Sequence, residues 1–274
     1  AAPAAIVEGL QMPAWLEHEG AKQPLVPGAN LSATDTLYTG ANGRILLRLE
    51  EGSRVKLGEN AQLELANLVP PDEEQGIFQG TLNVLKGALR FTTSPAHQVR
   101  KRQITVQIAG ITCGIRGTDF WGKAEPDRDF VVLIEGSLQI RPEDQLELTL
   151  DESLQTYVLP KDQSALPLTR TNPKQLQDYA AETELHAGHG VQTAEGKWTV
   201  HVASFRNPEN AAAARQQFEI AGYAVQEQLI TVNDIPWTRL SVTGFASKID
   251  AGAFARQIAT QFETLKPRVL RSVQ

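Results

Sequence analysis

Lys197-Trp198-Thr199-Val200-His201-Val202-Ala203-Ser204-Phe205-Arg206-Asn207-Pro208 is the stretch on which the reading of this chain turns. Its first half alternates, with Val200 and Val202 on one side and Thr199, His201 and Ala203 on the other, which is the period of a half-buried strand. Asn207 followed by Pro208 then supplies a helix cap and a first helical residue that needs no amide hydrogen. Ala211, Ala214, Phe218 and Ala221 recur at helical spacing, and Gly222 ends the run.

Two further alternating segments follow, roughly Tyr223 to Val232 and Ile235 to Thr243. Ser247 and Asp250 then open a second helix in the manner of a capping box, with Ala251, Phe254, Ala255, Ile258 and Phe262 as its apolar stripe. A last strand is expected from Arg268 to Val273. The order β-α-β-β-α-β predicts an α+β, ferredoxin-like split βαβ unit over 197–274, with two helices on one sheet face and the other face open. On that open face alternation places Trp237, Arg239, Ser241 and Thr243, while Thr238, Leu240 and Val242 point at the helices. An outward Trp beside an Arg suits a docking surface, since an indole ring stacks on flat apolar faces and a guanidinium pairs with a carboxylate. The plain alternative is an indole tucked under its own loop and an arginine solvated at the surface.

Upstream the pattern changes. From about Asp35 to Leu159 short alternating segments such as Arg44–Leu49, Arg54–Leu57, Ile104–Ile108 and Phe130–Ile134 are separated by Gly-containing turns. Residues 1–170 are therefore expected to form an all-β domain, whether sandwich, roll or short β-solenoid. Residues 171–196 are polar and carry Gly188-His189-Gly190, which reads as a linker. Asn172-Pro173 starts one helix within it, with Leu176, Tyr179, Ala180 and Thr183 on one side.

A length of 274 residues suits two domains, and 41% hydrophobic with 21% charged residues is the composition of folded protein. The net charge of −6 argues against a dedicated nucleic-acid binder. The segment from Lys197 onward nevertheless carries nine Lys/Arg against six Asp/Glu, so this part alone favours an anionic ligand. The single cysteine, Cys113, forms no intramolecular disulfide and reads as a small core residue. No apolar run is long enough to span a bilayer as a helix. The start Ala1-Ala2-Pro3-Ala4-Ala5, without an initiator Met, suits equally a mature secreted chain freed of its signal peptide and a chain trimmed at its start.

No catalytic constellation stands out. The histidines lie at 18, 97, 186, 189 and 201, and only His186 and His189 are locally paired, with no third ligand nearby. A phosphate-cradling glycine loop is absent, and no carboxylate sits where its pKa would be raised. Neither an enzyme, a metal nor a cofactor is expected. RNA binding on a split βαβ unit is disfavoured by the lack of an aromatic RNP1 segment. In Arg116-Gly117-Thr118-Asp119 the structural reading prevails over a ligand loop: Gly117 allows positive φ, Thr118 and Asp119 bond the turn, and Arg116 pairs with an acid.

Two resemblances sharpen these expectations. Val200-His201-Val202-Ala203-Ser204-Phe205 and Trp237-Thr238-Arg239-Leu240-Ser241-Val242-Thr243-Gly244-Phe245, with the Ala-rich helix between, resemble the SPOR domain. That family binds peptidoglycan glycan strands lacking stem peptides along its open sheet face, which implies His201, Ser204, Trp237 and Arg239 as glycan contacts. His201 and Ala203 depart from the Gln and Gly usual there. Asp35–Gly40, Leu49–Gly58, Gly87–Phe91, Gly114–Phe120 and Val132–Gly136 resemble the FecR domain of bacterial periplasmic regulators. The expectation is a non-catalytic periplasmic envelope protein, of the kind tied to cell division, with glycan strands and an unidentified envelope protein as partners. The FecR-like part would be an interaction or scaffold module; the alternative is a FecR-type signalling regulator with glycan binding as its sensor input.

Overall fold

The computed structural model describes residues 3–69, 76–95, 101–142 and 146–272. The N-terminal part runs β1 (Ala5–Gln11), β2 (Ala14–His18), β3 (Ala21–Pro24), β4 (Asn30–Leu31), β5 (Thr36–Thr39), β6 (Arg44–Leu49), β7 (Arg54–Leu57) and β8 (Gln62–Val69). It continues with β9 (Ile77–Thr92), β10 (Lys101–Ile108), β11 (Ile111–Ala124), β12 (Arg128–Arg141), β13 (Leu148–Leu150), β14 (Gln155–Pro160) and β15 (Thr169–Arg170). Then come α1 (Pro173–Thr183), β16 (Val191–Thr193), β17 (Trp198–Phe205), α2 (Pro208–Ile220), β18 (Gln226–Val232), β19 (Ile235–Phe245), α3 (Lys248–Gln261) and β20 (Arg268–Arg271). The last strand stops at Arg271, and Val273 and His97 lie outside the described residues. No helix among the described residues is long and apolar enough to cross a membrane.

The chain is multidomain, with an all-β N-terminal part and an α+β C-terminal part. The β part is a two-layer sandwich whose three longest strands belong to both layers. One layer runs β15-β14-β12-β11-β9-β7-β6-β1, using the second half of β9 and of β11 and the first half of β12. The other runs β3-β2-β5-β8-β9-β10-β11-β12-β13 through the opposite halves of those strands. Leu47, Val55, Phe91 and Phe120 of the first layer and Leu63, Leu82, Val106 and Ile140 of the second are buried in one cluster between them. Cys113 belongs to this core, and burial pushes its thiol pKa well up.

The strands change layer at Arg116-Gly117-Thr118-Asp119, where the β11–β12 register breaks. Gly117 and Gly136 face each other there with φ +61 and +84, and a Cβ on Gly136 would run into the Gly117 carbonyl. The Thr118 hydroxyl bonds the Ser137 carbonyl. Asp119 does not bond the turn but takes a two-pronged pair from Arg90 at 3.0 and 2.9 Å. Arg116 is exposed and forms no ion pair among the described residues, against expectation: it stands opposite Ser137, and the Asp119 carboxylate is taken by Arg90.

The segment 171–196, expected as a linker with one helix, contains that helix and is tied to its neighbours at several points. Asn172 caps α1 by accepting the Gln175 amide at 2.8 Å. The helix lies on the outer face of the first layer, where Tyr179 stacks on Trp121 with centroids 4.6 Å apart and planes 9° apart. Trp121 is fully buried beneath it, and such a pair is worth about 0.5–1.5 kcal/mol beyond its buried area. Lys56 to Glu184 at 2.6 Å and Lys123 to Glu182 at 2.8 Å hold the C-terminal end of α1. Strand β16 then adds to the edge of β1, with Leu10 opposite Gln192, and Gln192 also faces Phe245 of β19. The first layer and the C-terminal sheet are thereby joined edge to edge.

In the C-terminal part β17 to β20 form an antiparallel sheet in the order β20-β17-β19-β18, with α2 and α3 on one face. Phe218, Phe254 and Ile258 are buried against Val200, Leu240 and Val242. Asn207 and Ser247 cap their helices as the sequence implies. Asp250 does not complete a capping box. Its Oδ1 instead accepts the amides of Gly188, Gly190 and Val191 at 2.7, 3.2 and 3.0 Å, tying α3 to the loop before β16.

Candidate functional site

The face of the C-terminal sheet away from α2 and α3 is the candidate site, and a bulge in β17 determines what stands on it. Val200 is opposite Val242 and His201 opposite Ser241, but Ala203 is opposite Leu240 and Ser204 opposite Arg239. The extra residue is Val202, and it inverts the alternation beyond it. Ala203, expected to point outward, therefore shares the helix side with Leu240, and Ser204 joins His201 on the open face. The His201 ring nitrogen Nε2 lies 2.9 Å from Ser204 Oγ and 3.2 Å from the Ala203 carbonyl. Because a carbonyl only accepts, Nε2 carries the hydrogen, and Nδ1 is left as an acceptor.

Trp237 and Arg239 stand on the next strand. Trp237 is partly exposed, with the Arg206 guanidinium 5.8 Å from its ring centroid, so the indole is neither in the core nor free of neighbours. Arg239 makes no ion pair or hydrogen bond among the described residues, and its Nε is buried without an acceptor. Gln228 lies opposite Arg239 and Ile230 opposite Trp237 on β18. Besides the edge junction through β16, contacts with the β-sandwich come from the helix side of the unit. Trp15 Nε1 donates to the Glu219 carbonyl at 3.2 Å and the Ala14 amide to the Gly222 carbonyl at 3.3 Å, both at the end of α2. These contacts leave the open face uncovered.

The four residues implied by resemblance stand together on one surface. Sequence reasoning missed Arg268, which lies opposite His201 on β20. The local excess of basic residues was the available signal, but the register of the last strand was needed to aim it. His186 and His189, the locally paired histidines, have rings 5.7 Å apart, with His186 Nε2 bonded to the Ala181 carbonyl at 2.8 Å. Among the described residues no group of three or more His, Cys, Asp or Glu could hold a metal ion.

Burial, followed by the nearby Arg239 charge, lowers the His201 pKa below 6.5; the Ala203 carbonyl opposes this and Arg268 adds to it. The imidazole is therefore a neutral hydrogen-bonding group at neutral pH. The folded protein binds fewer protons at this ring than the unfolded chain, so its stabilising contribution is present above pH 6.5 and is lost as pH falls below that value. Between pH 7 and 5 the unfolding midpoint of the wild type is expected to drop further than that of His201→Gln. Equal drops in a thermal melt series would refute the assignment.

Comparison with known proteins fits both halves. The FecR protein family profile matches residues 35–153 and the SPOR domain profile matches residues 194–264. No curated protein matches the chain. Two crystal structures described as a candidate anti-sigma factor from Parabacteroides distasonis superpose with TM-scores of 0.43 and 0.42 at 10% identity. They cover 83% of this chain and 91% and 92% of theirs. With a sandwich over the first matched region and a split βαβ unit over the second, this chain is a FecR-domain protein carrying a C-terminal SPOR domain.

Proposed function

We propose that this protein is a non-catalytic component of the bacterial periplasm that holds peptidoglycan glycan strands, stripped of their stem peptides, on the open sheet face of its SPOR domain. SPOR domains bind peptidoglycan and FecR domains are regulatory, and both are associated with the envelope and not with catalysis. The observation that carries the finer reading is the partly exposed Trp237 beside an Arg239 that has no ion pair or hydrogen bond among the described residues. Sugar rings offer flat C–H surfaces to an indole, and removal of the stem peptide frees the lactyl carboxylate of each muramic acid for a guanidinium. His201 and Ser204 add a donor and acceptors for the hydroxyl and acetamido groups between.

In this reading residues 1–170 are the FecR-like domain, 197–274 the glycan-binding domain and 171–196 the piece that joins them. The FecR-like domain is a scaffold or docking module for another envelope protein. The edge-to-edge junction through β16 favours a second possibility, a FecR-type regulator that senses glycan, because a strand shared by both sheets gives binding a route to the sandwich. The full chain is expected to sediment with sacculi treated with an amidase and to stay in solution with sacculi that keep their stem peptides. Equal sedimentation with both would remove the preference for stripped strands.

A further inference from the structure

The open face is more basic than its four expected contacts. Arg268 begins β20 opposite His201, so the two side chains leave the sheet on the same side. Arg239 leaves on that side from β19, opposite Ser204. The central strand β17 therefore lies between two arginines, two strand spacings apart sideways and two residues apart along the strands. Standard sheet dimensions put their Cα atoms about 12 Å from each other. His201 and Ser204 occupy the space between.

Among the described residues both arginines lack an acid. Elsewhere guanidinium and ammonium groups find carboxylates at close range, as Arg90 does at Asp119, Lys161 at Asp129 and Arg215 at Glu219. Arg239 and Arg268 form no ion pair or side-chain hydrogen bond among the described residues. The strand positions that share this face are Gln, Ile, Val, Trp, Ser, Thr, His and Leu besides the arginines, with no carboxylate among them. Two like charges on one face repel each other unless an anion neutralises them, and a weakly hydrated, planar guanidinium is well matched to a carboxylate. Each guanidinium pairs most fully with a carboxylate of its own, taken in a two-pronged way, and His201 and Ser204 of β17 stand in the register between the two arginines. The ligand that satisfies both carries carboxylates at intervals.

We propose that Arg268 is a second carboxylate-binding residue, and that Arg239 and Arg268 engage the carboxylates of two successive muramic acids of one glycan strand lying across β17. This rests on the glycan-binding reading above and adds to it a minimum ligand length, two disaccharide repeats, and a dependence on the free acid at each.

The test uses the full chain, as wild type and as Arg268→Gln, with two probes: amidase-treated sacculi, and the same sacculi after carbodiimide coupling of their carboxylates to methylamine. Arg268 is exposed at the start of its strand, so its replacement leaves the core untouched. On the untreated probe Arg268→Gln is expected to weaken binding about tenfold, the effect of losing one partly exposed charge-assisted pair. On the amidated probe wild type and variant are expected to bind alike. A loss of the same size on both probes, or none on the first, overturns the proposal while leaving glycan binding in place. A wild type that fails to bind the untreated probe overturns the glycan reading itself and this inference with it.

Discussion

Retention of the Trp237→Ala, Arg239→Ala double variant on amidase-treated sacculi is expected to fall by about a hundredfold or more, with the unfolding midpoint almost unchanged. Aromatic and arginine anchors at the centre of an interface each contribute about 2 kcal/mol or more, and each 1.4 kcal/mol is a factor of ten. The two lie two residues apart on one strand, so their losses are not simply additive. Neither side chain belongs to the core: Thr238, Leu240 and Val242 fill the helix side of β19, and Trp237 and Arg239 project from the other. Surface replacements of this kind usually change stability by less than about 1 kcal/mol. Binding would be read by co-sedimentation and folding by circular dichroism. Retention equal to wild type in a folded double variant would remove this face from consideration.

Asp250→Ala is expected to destabilise the C-terminal unit by about 3–5 kcal/mol. Asp250 is only 2% exposed, and one of its oxygens gathers three backbone amides from the 188–191 loop while the other takes the Ser247 hydroxyl at 2.5 Å. Hydrogen bonds to a charged group are worth about 1.5–3 kcal/mol each, and alanine would leave buried amides with no acceptor. The same oxygen ties α3 to the strand that pairs with β1, so hydrogen exchange at Gly190 and Val191 is expected to accelerate with the loss of stability. Ser247→Ala separates the cap from the clamp, because loss of the cap alone costs about 1 kcal/mol. If Asp250→Ala cost no more than Ser247→Ala in denaturant titrations, the clamp would have no energetic role.

Period, punctuation and caps carried most of the fold in the sequence. Alternation in Arg44–Leu49 and Phe130–Ile134 called for strands, Asn207-Pro208 for a helix start, and both are present. These signals are local: each depends on residues within one turn or one strand, where backbone geometry and solvent exposure act directly. The same locality misled at Ala203. Strict alternation put it on the open face, and only pairing with β19 revealed the bulge that turns it inward and brings Ser204 out beside His201. It misled again at Asp250, whose spacing from Ser247 resembles a capping box although its carboxylate serves amides about sixty residues away in the chain.

From the sequence by itself came the two-part organisation, the order of the split βαβ unit and the four residue types proposed as contacts on its open face. Hydrophobic period and helix capping are written within short windows, and the motif residues sit in strands that such windows define. Tertiary structure alone decided the sandwich with strands shared between layers, the burial of Trp121 beneath α1 and the conversion of a supposed linker into a bridge at β16. It alone placed Arg268 opposite His201. Each of these depends on register between segments distant in the chain, and register is set by the collective packing of a core and not by any one segment.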